Sequence, residues 1–591
     1  MRQFFKFVFA SMLGFVVGFF LLMMILIGVA SVLINSLDDE KVTEVKSSTF
    51  LLLDFKKPIV DRASKNPFEN LSFASFGGEG SVGLNTLLDN LRKAKSDKNI
   101  KGIYMELSTV NAGMASVEEI RNALLDFKKT GKTIISYSEG YTQKSYYLAS
   151  VSNKIYLNPQ GSLELKGLGA EIMFYKGLLD KIEVETQVIR HGRYKSAVEP
   201  FILDKMSNDN RVQTRAFLQH IWDHMVDQMA SSRNLTVAEL NQWANNISIR
   251  EPEDALKYKL VDRLVYKDEV LDELKKLTNK TKAKDKPQLI ALGKYENAPD
   301  QIKKSIKDAQ IAVIYASGQI EEGEAGSDKI GSETVSKAIR DARLNEKVKA
   351  IVLRVNSPGG SALASEVIWR EAALANKVKP VVVSMGDVAA SGGYYISAAS
   401  RKIYASPTTI TGSIGVFGLI FNAQKLFNNK LGITFDTVKT NRMSDFGSMA
   451  RPLTAEEKQI MQQGVEKVYD TFTKRVADGR NMKQADVDSI GQGRVWSGVE
   501  AKKIGLIDAY GGLYEALAEA AKLAKLSKYR LVELPEAKDP FKELLSELGE
   551  EAETKYLDYK LGSEARYFHK AQELVSMQGI QARLPYSIDF Y

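Results

Sequence analysis

Residues 393–407, GYYISAASRKIYASP, restate residues 145–159, SYYLASVSNKIYLNP. The match extends outward in both directions. KAIVLRVN at 349–356 answers KGIYMELS at 101–108, and AKKIGLIDAY at 501–510 echoes ALKYKLVDRL at 255–264. Lys101–Tyr156 and Lys349–Tyr404 align without a gap. A chain of 591 residues built this way is expected to hold two like units, each long enough to bury its own core. The pattern inside each copy alternates. Ser48–Phe55 and Gln310–Tyr315 read as buried strands, Leu84–Ala94 and Ser332–Leu344 as helices, and Gly102–Leu107 and Ala350–Val355 as strands. Helices over 116–129 and 362–376 follow, then apolar strands at Thr133–Tyr137 and Pro380–Ser384. A further strand–helix set closes each copy near 255–277 and 498–525. Strand–helix alternation predicts α/β layers.

The copies differ where chemistry would sit. The second reads GDVAASGGYY, with Ser391 before Gly392 and Gly393; the first has Gln143, Lys144 and Ser145 at those places. The first carries Lys195 in HGRYKSAVEPF, where the second has Met443 or Ser444. A serine kept in one half and a lysine in the other point to one active site divided between the copies.

Ser391 is expected at the bend between a strand, Pro380–Ser384, and a helix, Tyr394–Ser400. The bend would expose it, and the two glycines permit close backbone approach. A helix start supplies free N–H groups and partial positive charge, the ingredients of an oxyanion site. A second glycine loop, Asn356–Ser361 (NSPGGS), follows the strand Ala350–Val355. The first copy has lost those tandem glycines along with the serine. A proline–glycine turn is the plain alternative for this loop. The serine needs a base, and the second copy's core holds no histidine. His191 is the only histidine near a motif, and it lies four residues from Lys195. A lysine serves if burial keeps it neutral.

Composition narrows the classes. Hydrophobic residues make up 44% and charged residues 26%, as in ordinary folded proteins. Net charge is +8, yet acids and bases interleave, with no basic block carrying aromatics; nucleic-acid binding is not expected. The absence of cysteine excludes a thiol nucleophile, disulfides and Cys-based zinc sites. His220 and His224 share a helical spacing but lack the glutamate of a zinc-protease helix, so no metal or cofactor is expected.

Phe7–Ile34 carries no charge. As a helix it would run about 42 Å, enough to cross a hydrocarbon core of about 30 Å. Arg2 and Lys6 precede it and Asp38, Asp39 and Glu40 follow, which places the N-terminus in the cytoplasm and the rest outside. The apolar run is far longer than that of a cleaved signal peptide, although Gly28–Ser31 offers a cutting site. Gly14 and Gly18 form a small-residue step of the kind that packs two membrane helices. The expected division is a cytoplasmic stub and anchor at 1–40, a lysine-bearing repeat at 41–285, a serine-bearing repeat at 286–535 and a tail at 536–591. The joint falls in Asn279–Pro287, a polar, lysine-rich stretch. The tail has a charged, helical-looking segment at Phe541–Lys560 and an aromatic end at Pro585–Tyr591; it is expected to cover a subunit surface or to stay mobile.

KSAVEPF, NSPGGS, GDVAASGGYY and TGSIGVFG, in this order, resemble the signal peptide peptidase A (protease IV) family in its long, duplicated form. The resemblance runs over nearly all of residues 1–535. It implies tandem crotonase/Clp-protease-like α/β domains after one N-terminal transmembrane helix. It implies that Ser391 is the nucleophile, Lys195 the general base, and Ser413 a hydrogen-bond partner of the lysine, with Gly360 and Gly392 donating oxyanion-hole N–H groups. It further implies cleavage of signal peptides and other apolar peptides at a bacterial inner membrane, catalytic domains on the periplasmic side, and a homotetramer. Two alternatives share parts of this pattern: an acyl-CoA hydratase or isomerase on the same fold, and a non-enzymatic membrane scaffold. An apolar groove for such peptides is expected around Ile414–Ile420, where core packing is the plainer role.

Overall fold

A computed structural model describes residues 2–38, 42–64, 80–280, 282, 284–300, 308–326, 328–536 and 580–584. The Phe541–Lys560 and Pro585–Tyr591 segments lie outside the described residues.

Each copy builds one sheet around six parallel strands, and the orders of those strands match. The first runs Arg263–Leu264, Lys154–Leu163, Thr133–Tyr141, Ile100–Glu106, Thr49–Leu53, Leu289–Ala291. The second runs Ala509–Tyr510, Lys402–Ala405, Val381–Ala390, Val348–Ser357, Gln310–Ser317, Arg530–Leu534. Each central strand is an apolar run because helices cover both faces of the sheet. Phe50 pairs with Gly102 and Ile311 with Ala350, so Thr49–Leu53 and Gln310–Ser317 enter their sheets in the same register. Two long helices also correspond. Asn208–Arg233 starts on a Ser207 cap and ends at left-handed Asn234; Ala455–Arg480 starts on Thr454 and ends at left-handed Asn481. A serine or threonine oxygen satisfies an orphan N–H at each start, and asparagine tolerates the left-handed stop.

One difference matters for the site. The first copy's strand Lys154–Leu163 is continuous, whereas the second breaks it into Lys402–Ala405 and Ile410–Gly412. Ile410–Gly412 continues beside Val388–Ala390 and takes Val495–Ser497 as an antiparallel neighbour. The first sheet extends to Leu289–Ala291, past the polar joint.

A third sheet joins the copies. Its order is Ile330–Gly331, Ile320–Glu321, Gly359–Ser361, Ile580–Arg583, Val416–Asn422, Glu185–His191. Glu185–His191 belongs to the first copy and pairs antiparallel along all of Val416–Asn422, from Val416 opposite His191 to Asn422 opposite Glu185. Ile580–Arg583 comes from the tail.

Buried polar groups also cross the joint. Arg354 Nε lies 2.7 Å from Asp61 Oδ1 and its Nη1 2.7 Å from Glu119 Oε1. Asp387 accepts hydrogen bonds from the Ser116 backbone at 2.9 Å and hydroxyl at 2.7 Å.

At the N-terminus Arg2–Asp38 is one helix. Its Lys6–Ile25 window has a mean hydropathy of 2.5 with none of it buried, and is long and apolar enough to cross a membrane.

Candidate active site

Ser391 follows the strand Val381–Ala390 and precedes the short helix Gly392–Ser397. Its backbone has φ 55° and ψ −114°, a region where a non-glycine residue stores roughly 1–3 kcal/mol of strain. Two hydrogen bonds hold it there: Ser391 N–H donates to Gly412 O at 2.8 Å, and Tyr395 N–H donates to Ser391 O at 2.8 Å. A sharp, strained strand-to-helix turn aims a serine hydroxyl away from its own sheet.

Lys195 arrives from the other copy. The bridging strand Glu185–His191 ends beside Val416, and four residues later Lys195 points into the serine's bend. Its Nζ lies 2.9 Å from Ser391 Oγ, 3.0 Å from Ser413 Oγ and 3.3 Å from Ser413 O. The meeting takes place within one chain. All three side chains are 0% exposed. Burial pushes the Lys195 ammonium well below its ordinary value of 10.5, and no charged neighbour acts against that. A neutral amine has two N–H groups and one lone pair. The two N–H groups suit the Ser413 oxygens, which leaves the lone pair for the Ser391 hydroxyl proton.

The lysine's loop is latched on both sides. Glu199 accepts from Ser207 Oγ at 2.6 Å and Asn210 Nδ2 at 2.9 Å. Gln213 Nε2 donates to Ser196 Oγ at 2.7 Å, while its Oε1 accepts from Val495 N–H at 3.1 Å. Glu199 fixes the loop within the lysine's copy, and Gln213 ties it to the serine's.

Two glycines make room for the lysine: Gly415, inside the TGSIGVFG motif, and Gly493, outside every motif quoted above. A Cβ on Gly493 (φ 80°) would fall 2.6 Å from Lys195 Cβ, and one on Gly415 would fall 3.3 Å from Lys195 Cδ. The GQGR stretch at 491–494 gave no sign of this, because the contact is with a residue of the other copy. Gly493→Ala is therefore expected to push Lys195 off the serine and lower kcat about 10²-fold. Unchanged steady-state kinetics in that variant would show that the fit tolerates a methyl.

Gly359 and Gly360 stand beside this centre. A Cβ on Gly360 would collide with Ile320 O at 2.0 Å, and one on Gly359 (φ 98°) would lie 2.7 Å from Gly392 N. Only glycine lets the two N–H-bearing turns approach this closely.

The first copy's equivalent corner is closed. Gln143 Oε1 accepts from Lys166 N–H at 2.7 Å and Gly167 N–H at 2.8 Å, and Lys144 Nζ donates to Ala112 O at 2.7 Å. The histidines do other work. His191 stacks on Tyr469 with ring centres 3.9 Å apart. His220 faces Ser497 and His224 faces Glu118, each at 3.2 Å, so the two do not converge. Ile414, Val416, Phe417 and Leu419 are buried in the core.

A family model described as peptidase family S49 matches residues 126–281 and 373–527, one match in each copy. This chain belongs to peptidase family S49. It is 39% identical to Protease 4 of Salmonella typhi over 87% of this chain and 84% of that protein. Protease 4 of Haemophilus influenzae is 33% identical over 86% of this chain and 83% of its own. The chloroplastic serine protease SPPA of Arabidopsis thaliana is 33% identical over 85% of this chain and 74% of its own. A ClpP1 variant from Listeria monocytogenes, 16% identical, aligns with 35% of this chain and 94% of its own at a TM-score of 0.24, too slight a likeness to carry an argument. The S49 chain is thus a serine-type peptidase with a duplicated α/β domain, as its motifs implied.

One expectation needs correcting. The bend was expected to expose Ser391, yet the serine of this S49 chain is fully covered. The tail strand Ile580–Arg583 lies across the glycine loop.

Proposed function

We propose that this peptidase is a membrane-anchored endopeptidase in which Lys195 activates Ser391, and that it degrades signal peptides left in the membrane after their release from exported proteins. The observation that carries the reading is the 2.9 Å contact between Lys195 Nζ and Ser391 Oγ, both wholly buried. Burial that holds the Lys195 amine well below its ordinary value favours the free lone pair, which a solvated surface lysine lacks.

In this reading Lys195 takes the Ser391 proton as Oγ attacks a peptide carbonyl. The N–H groups of Gly360 and Gly392 hold the oxyanion, a contribution in which one donor is typically worth about 10²–10³ in rate. Lys195 then passes the proton to the leaving amine. Water enters, gives its proton to Lys195 and releases the acyl group, and Ser391 regains a proton. Ser413 keeps the amine oriented between the two steps.

The Arg2–Asp38 helix is read as a single-pass anchor in a bacterial inner membrane, with both copies on the periplasmic side. It would confine enzyme and substrate to one surface. Exposed apolar side chains at Leu431, Ile433, Phe435 and Phe446 favour assembly of several copies, for which a tetramer is proposed.

The test is turnover of a synthetic signal peptide in vesicles carrying the full-length chain. Fragments should form with wild type and not with Ser391→Ala. Fragments from both forms would sink the nucleophile; none from either, with soluble apolar peptides still cut, would sink the signal-peptide substrate.

A further inference from the structure

A hydrolase's nucleophile that is 0% exposed takes a substrate only when its cover leaves. The chain's own tail strand lies across the glycine loop beside it. Ile580–Arg583 is inserted between two strands that belong to the serine's copy. On one side Gly359 pairs with Arg583, Gly360 with Ala582 and Ser361 with Gln581. On the other, Phe417 pairs with Gln581 and Gly418 with Ile580. Both pairings are antiparallel. Together they describe a cleft open to one extended peptide, the geometry by which proteases and peptide-binding domains take a strand.

The register is informative. Leu584 N–H donates to Pro358 O at 2.7 Å. Antiparallel ladders alternate between hydrogen-bonded and non-bonded pairs. Two residues along, Gly360 and Ala582 then form a hydrogen-bonded pair, which directs Ala582 O at Gly360 N–H. The same oxygen lies 3.1 Å from where a Cβ on Gly392 would stand and 2.1 Å from where one on Gly359 would. Ala582 O thus sits between the two glycines expected to hold an oxyanion. Among the described tail residues, Ala582 is the one whose carbonyl is near both Gly359 and Gly392.

We propose that Ile580–Leu584 is an internal pseudo-substrate, with Ala582 at the position of the residue whose carbonyl Ser391 attacks, and that it competes with incoming peptides for this cleft. The proposal rests on the Ser391–Lys195 reading. It also states what the cleft selects. Alternate residues of a strand share a face, so Ile580 and Ala582 point the same way. Ala582 is 1% exposed, and Ile580 packs beside Gly464 of the helix Ala455–Arg480. Preferred substrates then carry a small residue at the attacked carbonyl and an aliphatic one two positions before it. The competitor needs no chemistry of its own, since a strand fills the cleft whether or not the bond after Ala582 is cut.

The experiment uses the full-length chain in detergent and a fluorogenic apolar peptide with alanine at the attacked position. Ala582→Trp is too large for a buried alanine site and should expel the strand. The expected result is a rise in kcat/KM of at least tenfold, carried by KM. A chain ending at Gly579 should behave alike, and a synthetic peptide of residues 577–586 should inhibit the Ala582→Trp form competitively. A merely structural tail would give the opposite, because loosening a fold does not raise kcat/KM. Ser391-dependent activity that is equal or lower in both altered chains overturns the pseudo-substrate. Hydrolysis that survives Ser391→Ala in every form instead overturns the nucleophile assignment, and the pseudo-substrate falls with it.

Discussion

Lys195→Met is expected to lower kcat by at least about 10⁴-fold while leaving the chain folded. Methionine keeps the length and apolar body of the lysine but offers no basic lone pair. Ser391 would then have no partner able to take its proton, because Ser413 and the Gly415 carbonyl, 3.5 Å from Ser391 Oγ, are not bases. The stability effect has the opposite sign to the activity effect. Burial depresses the Lys195 pKa, so below 10.5 the unfolded chain takes up a proton that the folded chain refuses. That opposes folding at neutral pH, and the penalty fades as pH rises toward the ordinary lysine value. Lys195→Met escapes the penalty. Its melting temperature should match or exceed wild type near neutrality, and the margin should shrink in alkaline buffer. In wild type, kcat/KM should climb with pH through one ionisation that lies well below 10.5. Retained hydrolysis in Lys195→Met would remove lysine from the mechanism; a melting point far below wild type at all pH values would show a structural lysine instead.

Arg354→Met carries the second large effect, on stability. Arg354 is 0% exposed and holds two carboxylates from the other copy, Asp61 and Glu119. Burial works to raise both carboxyls. Beside the guanidinium, Asp61 nevertheless lies below its ordinary value, while Glu119, with Asp61 close by, stays above its own. Asp61 also accepts from Ser317 Oγ and Asn356 Nδ2, each at 2.9 Å, and Glu119 from Leu513 N–H at 2.7 Å. Removing the cation strands this acidic pair in the joint. The expected loss is about 3–5 kcal/mol, read by denaturant unfolding. Replacing Asp61 by asparagine and Glu119 by glutamine alongside Arg354→Met should recover most of it, since neutral amides leave no charge unpaired and still accept from Ser317, Asn356 and Leu513 N–H. A single Arg354→Met variant as stable as wild type would show that the copies are held by apolar packing alone. The same joint holds Lys195 beside Ser391, so a loosened Arg354 variant should also lose activity before it unfolds.

Much of this molecule was legible before any coordinates. The duplication is written in matching strings, and matching strings make matching strand orders because the apolar runs and helix caps recur in sequence. The paired glycines after Ser391 and in the 356–361 loop are visible as local strings, although close contacts with remote residues are what require them. Ser391 and Lys195 both stand within the motifs quoted above. Tertiary structure alone decided how they meet. The two are brought together by the register between Glu185–His191 and Val416–Asn422, a pairing of segments remote in sequence that no local period encodes. The room left by Gly493, the histidines' separate employments and the Arg354 cluster depend on the same joint. The tail is the sharpest case. Ile580–Leu584 has no repeat partner and too few residues for a periodic pattern, so its sequence carries no sign of its place. Hydrogen bonding to strands on both sides places it, and those strands, far apart in sequence, stand together only once the serine's copy has folded.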